Sequence, residues 1–322
     1  MNQLSSYHGQ PVIKQPVWTW EIPCYFFTGG VAGASAGLGY LCELQGNDVL
    51  ARRAWAVSLA GVGISPLLLV SDLGKPARFL NMLRMVKVTS PMSVGSWILT
   101  VSGTSTAIAA SHSWLGRFPR LSKLARPTAA IFGLPLASYT GALIANTAVP
   151  VWHESRRMLP FVFAAGAALS AGAAAVIATP PPHAGPARRL ALAGAIAEMA
   201  TTEAMERRLG DQGEPYKHGS AARFRNLGRG CFLAGSGLLL SRRSTSRPAA
   251  VAAGALLLTG ALSVRWSVFK AGFASARDPR YVVAPQRQRV EEGKDHGAVR
   301  SSPRTSVADS TAGSPASLTE TT

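Results

Sequence analysis

Along the 322 residues, long apolar runs alternate with short polar stretches. The runs cover about 22–42, 54–70, 94–111, 129–149, 159–178, 190–205, 227–240 and 249–273. Most approach 20 residues, the length a helix needs to cross a hydrocarbon core of about 30 Å. The pattern predicts an all-α polytopic membrane protein with about eight transmembrane helices. The run 227–240 is short enough to be a re-entrant segment instead. Between the second and third runs, Lys75, Arg78, Arg84 and Lys87 interleave with Phe79, Leu80, Met82 and Leu83. That stretch, 74–88, reads as an amphipathic helix at the interface. Pro180, Pro181 and Pro182 stop the fifth helix. In the first run Gly29, Gly33 and Gly37 recur every four residues, a spacing that lets helix backbones approach in lipid. No strand precedes them and no GK[ST] follows, so they are no phosphate loop.

The same pattern sets the boundaries. Residues 1–16 form a polar N-terminal tail without the apolar run of a cleavable signal. Residues 17–280 form the transmembrane domain. Residues 281–322 are basic and then Ser/Thr-rich; that composition buries no core and is expected to be disordered.

Charge adds orientation. Only 15% of residues are charged against 47% hydrophobic, yet the net charge is +17. The basic residues flank apolar runs, so anionic membrane lipid, not nucleic acid, is their expected partner. An even number of crossings puts both termini on one side of the cell membrane. The larger Lys and Arg count on that side favours the cytoplasm.

Few residues suit metal chemistry. Cys24, Cys42 and Cys231 form no CxxC pair, and only His112 of the six histidines lies near a run. No iron–sulfur cluster and no haem is expected in this chain. Polar groups at membrane depth are the remaining candidates, because they are costly there and often functional. Glu198 lies near the middle of the sixth run. It is either a buried acid that pins two helices or part of a proton path. Glu203 is spaced to pair with Arg207, and by the run ends Arg265 reaches its depth, so Glu203 and Arg265 could also pair across helices. Asp72 closes the second run. Tyr25 and Tyr139 both lie toward the side of the N-terminus. A phenol can donate a hydrogen bond to a quinone carbonyl, and Tyr139 lies too deep for an interfacial aromatic belt.

Three longer motifs carry a resemblance. The runs Trp18-Thr-Trp-Glu-Ile-Pro-Cys-Tyr25, Ser71-Asp-Leu-Gly-Lys-Pro-Ala-Arg-Phe-Leu-Asn-Met-Leu-Arg84 and Ser90-Pro-Met-Ser-Val-Gly-Ser-Trp97 resemble the NrfD/PsrC family of polysulfide reductase-like membrane subunits. Ser138-Tyr-Thr-Gly141 and Pro150-Val-Trp152 fit as well, over about residues 17–285. The resemblance implies two four-helix bundles without haem, and a quinone (menaquinone or ubiquinone) bound on the membrane subunit. It also implies an iron–sulfur partner subunit docked at the surface, which serves a molybdenum-containing catalytic subunit. Tyr25 and Tyr139 take the quinone-contact places, with Tyr25 where the pattern has histidine and Ile22 where it has asparagine. In members with an exported catalytic subunit the quinone face points outward. Either this chain serves a cytoplasmic partner, or its C-terminal charges dominate the count.

The expectation is therefore a haem-free quinone-reactive anchor of an oxidoreductase complex. Tyr25 and Tyr139 would contact quinone. Asp72, Lys75, Arg78 and Arg84 would shape the docking surface, and Glu198, Glu203 and Arg265 would form a proton path. The rival is a transporter or proton channel without a redox partner, which broken helices or an inverted repeat would favour.

Overall fold

The computed structural model describes residues 13–75, 77–84, 86–241 and 246–283. The proposed tail 281–322 lies outside these beyond its first three residues, as does most of 1–16. Among the described residues the chain is helical and without strands. It runs through α1 (Glu21–Leu44), α2 (Asp48–Asp72), the short α3 (Ala77–Leu83), α4 (Pro91–Leu115) and α5 (Pro119–Ala145). The second half holds the short α6 (Pro150–Glu154), α7 (Leu159–Ala178), α8 (Gly185–Leu209), the short α9 (Glu214–Lys217), α10 (Gly219–Leu240) and α11 (Arg247–Arg277). Among the described residues, eight helices are thus long enough to cross a membrane.

Four of them, α2, α5, α7 and α11, are also apolar enough along their length to cross alone. The other four carry more charge, or more Gly, Ser and Thr, and bury part of these groups, among them Ser35, Ser96, Ser102, Glu198 and Glu206. The chain is a multi-pass membrane protein. Helices α1, α2, α4 and α5 pack as one four-helix bundle, and α7, α8, α10 and α11 as a second. The bundles meet where α1 and α5 lie against α7.

Helix ends explain the differences from the apolar runs. Asn47 caps α2 by accepting from the Leu50 N–H at 3.2 Å, so Arg52 and Arg53 lie inside the helix rather than before it. Proline opens α5 at Pro119, ten residues ahead of its apolar run, and brings Arg120, Lys123 and Arg126 into its first turns. Proline also sits in the first turn of α4, α6, α7, α8 and α11, where its missing N–H costs nothing. The run 227–240 belongs to a continuous 22-residue helix, long enough to cross. Among the described residues of the interfacial stretch 74–88, 77–83 are helical.

Small residues set the helix separations. A methyl group on Gly33 of α1 would lie 2.3 Å from the Gly133 carbonyl oxygen of α5, so the two backbones touch there. Gly37 faces open space. Of the glycines spaced by four, Gly33 makes the close approach.

A stability series separates the two positions. Gly33→Ala should destabilise the detergent-solubilised chain by about 1–3 kcal/mol through overpacking. Gly37→Ala should leave the thermal midpoint unchanged or slightly raised, because alanine favours a helix and meets no neighbour. Equal effects of the two would contradict the α1–α5 contact.

Candidate functional site

The end of the first bundle that carries residues 13–20 is called the N-terminal face here. Helices α1 and α4 start on it, and α2 and α5 finish there. Its approach is built by two tryptophans. Trp152, delivered by the turn after Pro150, is buried and donates its indole N–H to the Val268 carbonyl at 2.8 Å. Gly272 makes room for that ring. Trp18 stacks on it with centroids 5.7 Å apart. One residue on, the Thr19 N–H and hydroxyl donate to the Asp72 carboxylate at 3.3 and 3.2 Å, tying the segment before α1 to the end of α2.

Beneath this strap lies a cavity of about 230 Å³. Its apolar wall is Ile22, Phe26, Leu69 and Leu143, and Met82 and Met92 border it. Tyr25 and Tyr139 also line it, and their hydroxyls are hydrogen-bonded to each other. The Tyr139 ring lies against Gly95 of α4, where any side chain would collide with it. A hydroxyl pair of this kind leaves one phenol proton free to donate to an oxygen in the cavity. Asp72 and Arg78 supply the polar groups of the lining. Lys75 and Arg84 are exposed and do not line it. An apolar slot with a few convergent polar groups suits a flat ring that carries oxygens.

A family model described as polysulfide reductase, NrfD_2, matches residues 4–278. The chain belongs to this family. No curated protein matches it. The family match spans both bundles and includes the motif residues that build the cavity: Trp18, Tyr25, Asp72, Arg78, Ser96 and Tyr139.

A second polar centre lies in the other bundle. Arg265 of α11 and Glu198 of α8 form an ion pair at 3.4 Å, with 2% and 0% of their side-chain surfaces exposed. Arg265 also donates to the Phe163 carbonyl at 3.1 Å, and its guanidinium lies 4.2 Å from the centroid of the Phe163 ring. A methyl group on Gly166 of α7 would lie 2.2 Å from the Arg265 Nη2 and 2.4 Å from the Glu198 Oε1. The pair therefore fills the space that a side chain at residue 166 would take.

This corrects the expected partner of Arg265, which pairs with Glu198 and not with Glu203. Helix α8 runs on to Leu209 and α11 to Arg277, so Glu198 and Arg265 each lie about three turns from the same end. Glu203 is nearer the surface and pairs with Arg207 at 2.9 Å, the expected partner, and with Arg229 at 2.8 Å. Glu206, which sequence reasoning passed over, is buried and pairs with Arg225 at 3.0 Å. Its spacing of eight residues from Glu198 was the available signal. Among the described residues, no group of three or more His, Cys, Asp or Glu is placed to hold a metal ion.

Removing one member of a buried pair strands the other charge, at a cost of about 3–5 kcal/mol. Arg265→Met should lose about that much stability, and Arg265→Met with Glu198→Leu should recover most of it. Unfolding in mixed detergent reads both. Equal losses in the single and double variants would show that the two side chains do not couple.

Proposed function

We propose that this family member is a quinone-reactive membrane subunit of an oxidoreductase complex. It would exchange electrons between the membrane quinone pool and an iron–sulfur subunit docked on the N-terminal face. That subunit would in turn serve a molybdenum-containing catalytic subunit. The observation that carries this reading is the cavity in which the Tyr25 and Tyr139 hydroxyls meet against an apolar wall. A quinone bound there would supply the two-electron, two-proton couple. The chain's own residues hold and orient it. The phenol that accepts the tyrosine–tyrosine bond keeps its own hydrogen for a quinone oxygen. Ile22 and Phe26 pack the ring, and Gly95 fixes the Tyr139 ring in register. Asp72 and Arg78 stand where a proton leaving the cavity meets charge. Lys75 and Arg84 on the same face offer cations to an acidic partner surface. Trp18, held by Trp152, shields the cavity from water.

In this reading Glu198 and Arg265 hold a proton site at membrane depth, and Glu203 belongs to its outer end. The rival reading, a transporter or channel without a redox partner, would gain from a helix broken near the bilayer midplane. Among the described residues each long helix is continuous.

Tyr139→Phe tests the reading. It keeps the ring and its packing against Gly95 and removes one hydroxyl. Losing one such hydrogen bond costs about 0.5–1.5 kcal/mol, so quinol-linked turnover of the complex should fall about 2- to 10-fold, while the chain stays folded with only the small stability loss of the Tyr25–Tyr139 bond. Unchanged turnover would make Tyr139 a packing residue.

A further inference from the structure

Glu198, Thr202 and Glu206 follow one another at four-residue steps along α8, so they share a face of that helix. Each carries a buried atom without a hydrogen-bond partner among the described residues: Glu198 Oε2, Thr202 Oγ1 and Glu206 Oε1. A buried polar atom left bare costs about 1–3 kcal/mol, and three in file on one face make that cost recur at every turn. Bridging water would remove it. Four residues of helix rise about 6 Å. A water that bonds two groups at about 2.8–2.9 Å and a near-tetrahedral angle spans about 4.6 Å, so one or two waters would bridge each step.

The two ends of this row differ. At the N-terminal face, Glu206 meets Arg225 at 3.0 Å and Arg229 at 3.6 Å, both from α10. Arg229 is 39% exposed and also holds Glu203, so the row reaches the surface through a charged cluster. The buried Tyr216 of α9 lies within electrostatic reach of Glu206. At the inner end, Arg265 of α11 and the Phe163 carbonyl of α7 complete the surroundings of Glu198. Past Glu198 toward the opposite face, the same side of α8 offers only Gly194, Ala191 and Ala187. There the backbones of α7 and α8 touch. A methyl group on Gly194 would lie 2.3 Å from the Leu169 nitrogen, and one on Gly172 would lie 2.4 Å from the Ala191 nitrogen. No water fits between them.

We infer that α8 carries a one-sided, water-filled proton path from the N-terminal face through Glu206 and Thr202 to Glu198, closed toward the opposite face. Its occupants are water and the protons it carries. The consequence is directional. A proton on Glu198 exchanges with the N-terminal face alone, so the second bundle cannot by itself carry a proton across the membrane. Any transmembrane step has to run through the first bundle. The inference rests on the proposed proton site at Glu198, but its test reads water access and not turnover.

The test is thiol accessibility in the full-length chain, with Cys24→Ala, Cys42→Ala and Cys231→Ala as background. In vesicles of each orientation, Thr202→Cys should react with Ag+, a thiol-seeking cation close to water in size, applied to the N-terminal face. The reaction should be at least about tenfold faster than with Ala191→Cys, since access governs thiol reactivity here. Ala191→Cys should stay unreactive from both faces. No reaction at Thr202→Cys, or labelling of Ala191→Cys from the opposite face, overturns the path. A second measurement needs no substitution in the row. A density map of the unmutated chain at a resolution that shows water should place ordered water between Glu198, Thr202 and Glu206 and none between Gly194 and Ala187. A dry row overturns the inference. If labelling succeeds but Tyr139→Phe leaves quinol-linked turnover unchanged, the quinone reading loses its support and the water path stands.

Discussion

Hydrocarbon offers no hydrogen-bond partner, so every polar group at membrane depth has to find one inside the protein. Some hydroxyls meet this demand locally. Ser65, Ser170, Thr201 and Ser263 each bond a carbonyl one turn back on their own helix, at 2.6–2.7 Å. Larger groups need a second helix. The Trp55 indole donates to Glu43 at 2.9 Å, and Arg126 reaches the same carboxylate at 3.3 Å. Arg247 donates to the Val176 carbonyl of α7 at 3.4 Å and to that of Thr179, just past its end, at 2.9 Å. Arg265 binds Glu198 and the Phe163 carbonyl together. Each of these contacts fixes one helix against another. The polar minority therefore decides how two mostly apolar bundles assemble.

The two polar centres share a wall. Phe26 lines the cavity beside Tyr25, and its ring meets the edge of Phe163 at a centroid distance of 5.5 Å. Phe163 in turn lies under Arg265 and accepts its hydrogen bond. A ligand that presses on Phe26 acts one ring away from the Glu198–Arg265 pair. The connection is aromatic and carries no protons, but packed rings transmit displacement because protein interiors have little slack. The cavity and the buried pair are thus mechanically adjacent.

The number of long helices was legible because a hydrocarbon core demands runs of near-constant length. Their ends were less so. Arg52 and Arg53 in α2, and Arg120, Lys123 and Arg126 in α5, sit in first turns where hydropathy falls while the helix continues. The same shortfall misjudged depth and gave Arg265 the wrong acid. Tyr25 and Tyr139 could be picked out by depth and by family resemblance. Their contact could not, because it depends on Gly95 letting the Tyr139 ring lie close to α4. Asp72 and Arg78 read as surface residues along the chain. The fold turns both into the cavity lining, since the α2–α4 connection passes beside its mouth.

Under the proposed function, quinone enters the cavity beneath Trp18. Photolabelling answers this directly: an azido-quinone is irradiated with the full-length chain in membranes, and the modified peptides are sequenced. Label on the segments around Tyr25 and Tyr139, displaced by excess unlabelled quinone, is the predicted result. Displaceable label confined to the second bundle, or label that excess quinone does not displace, would contradict it.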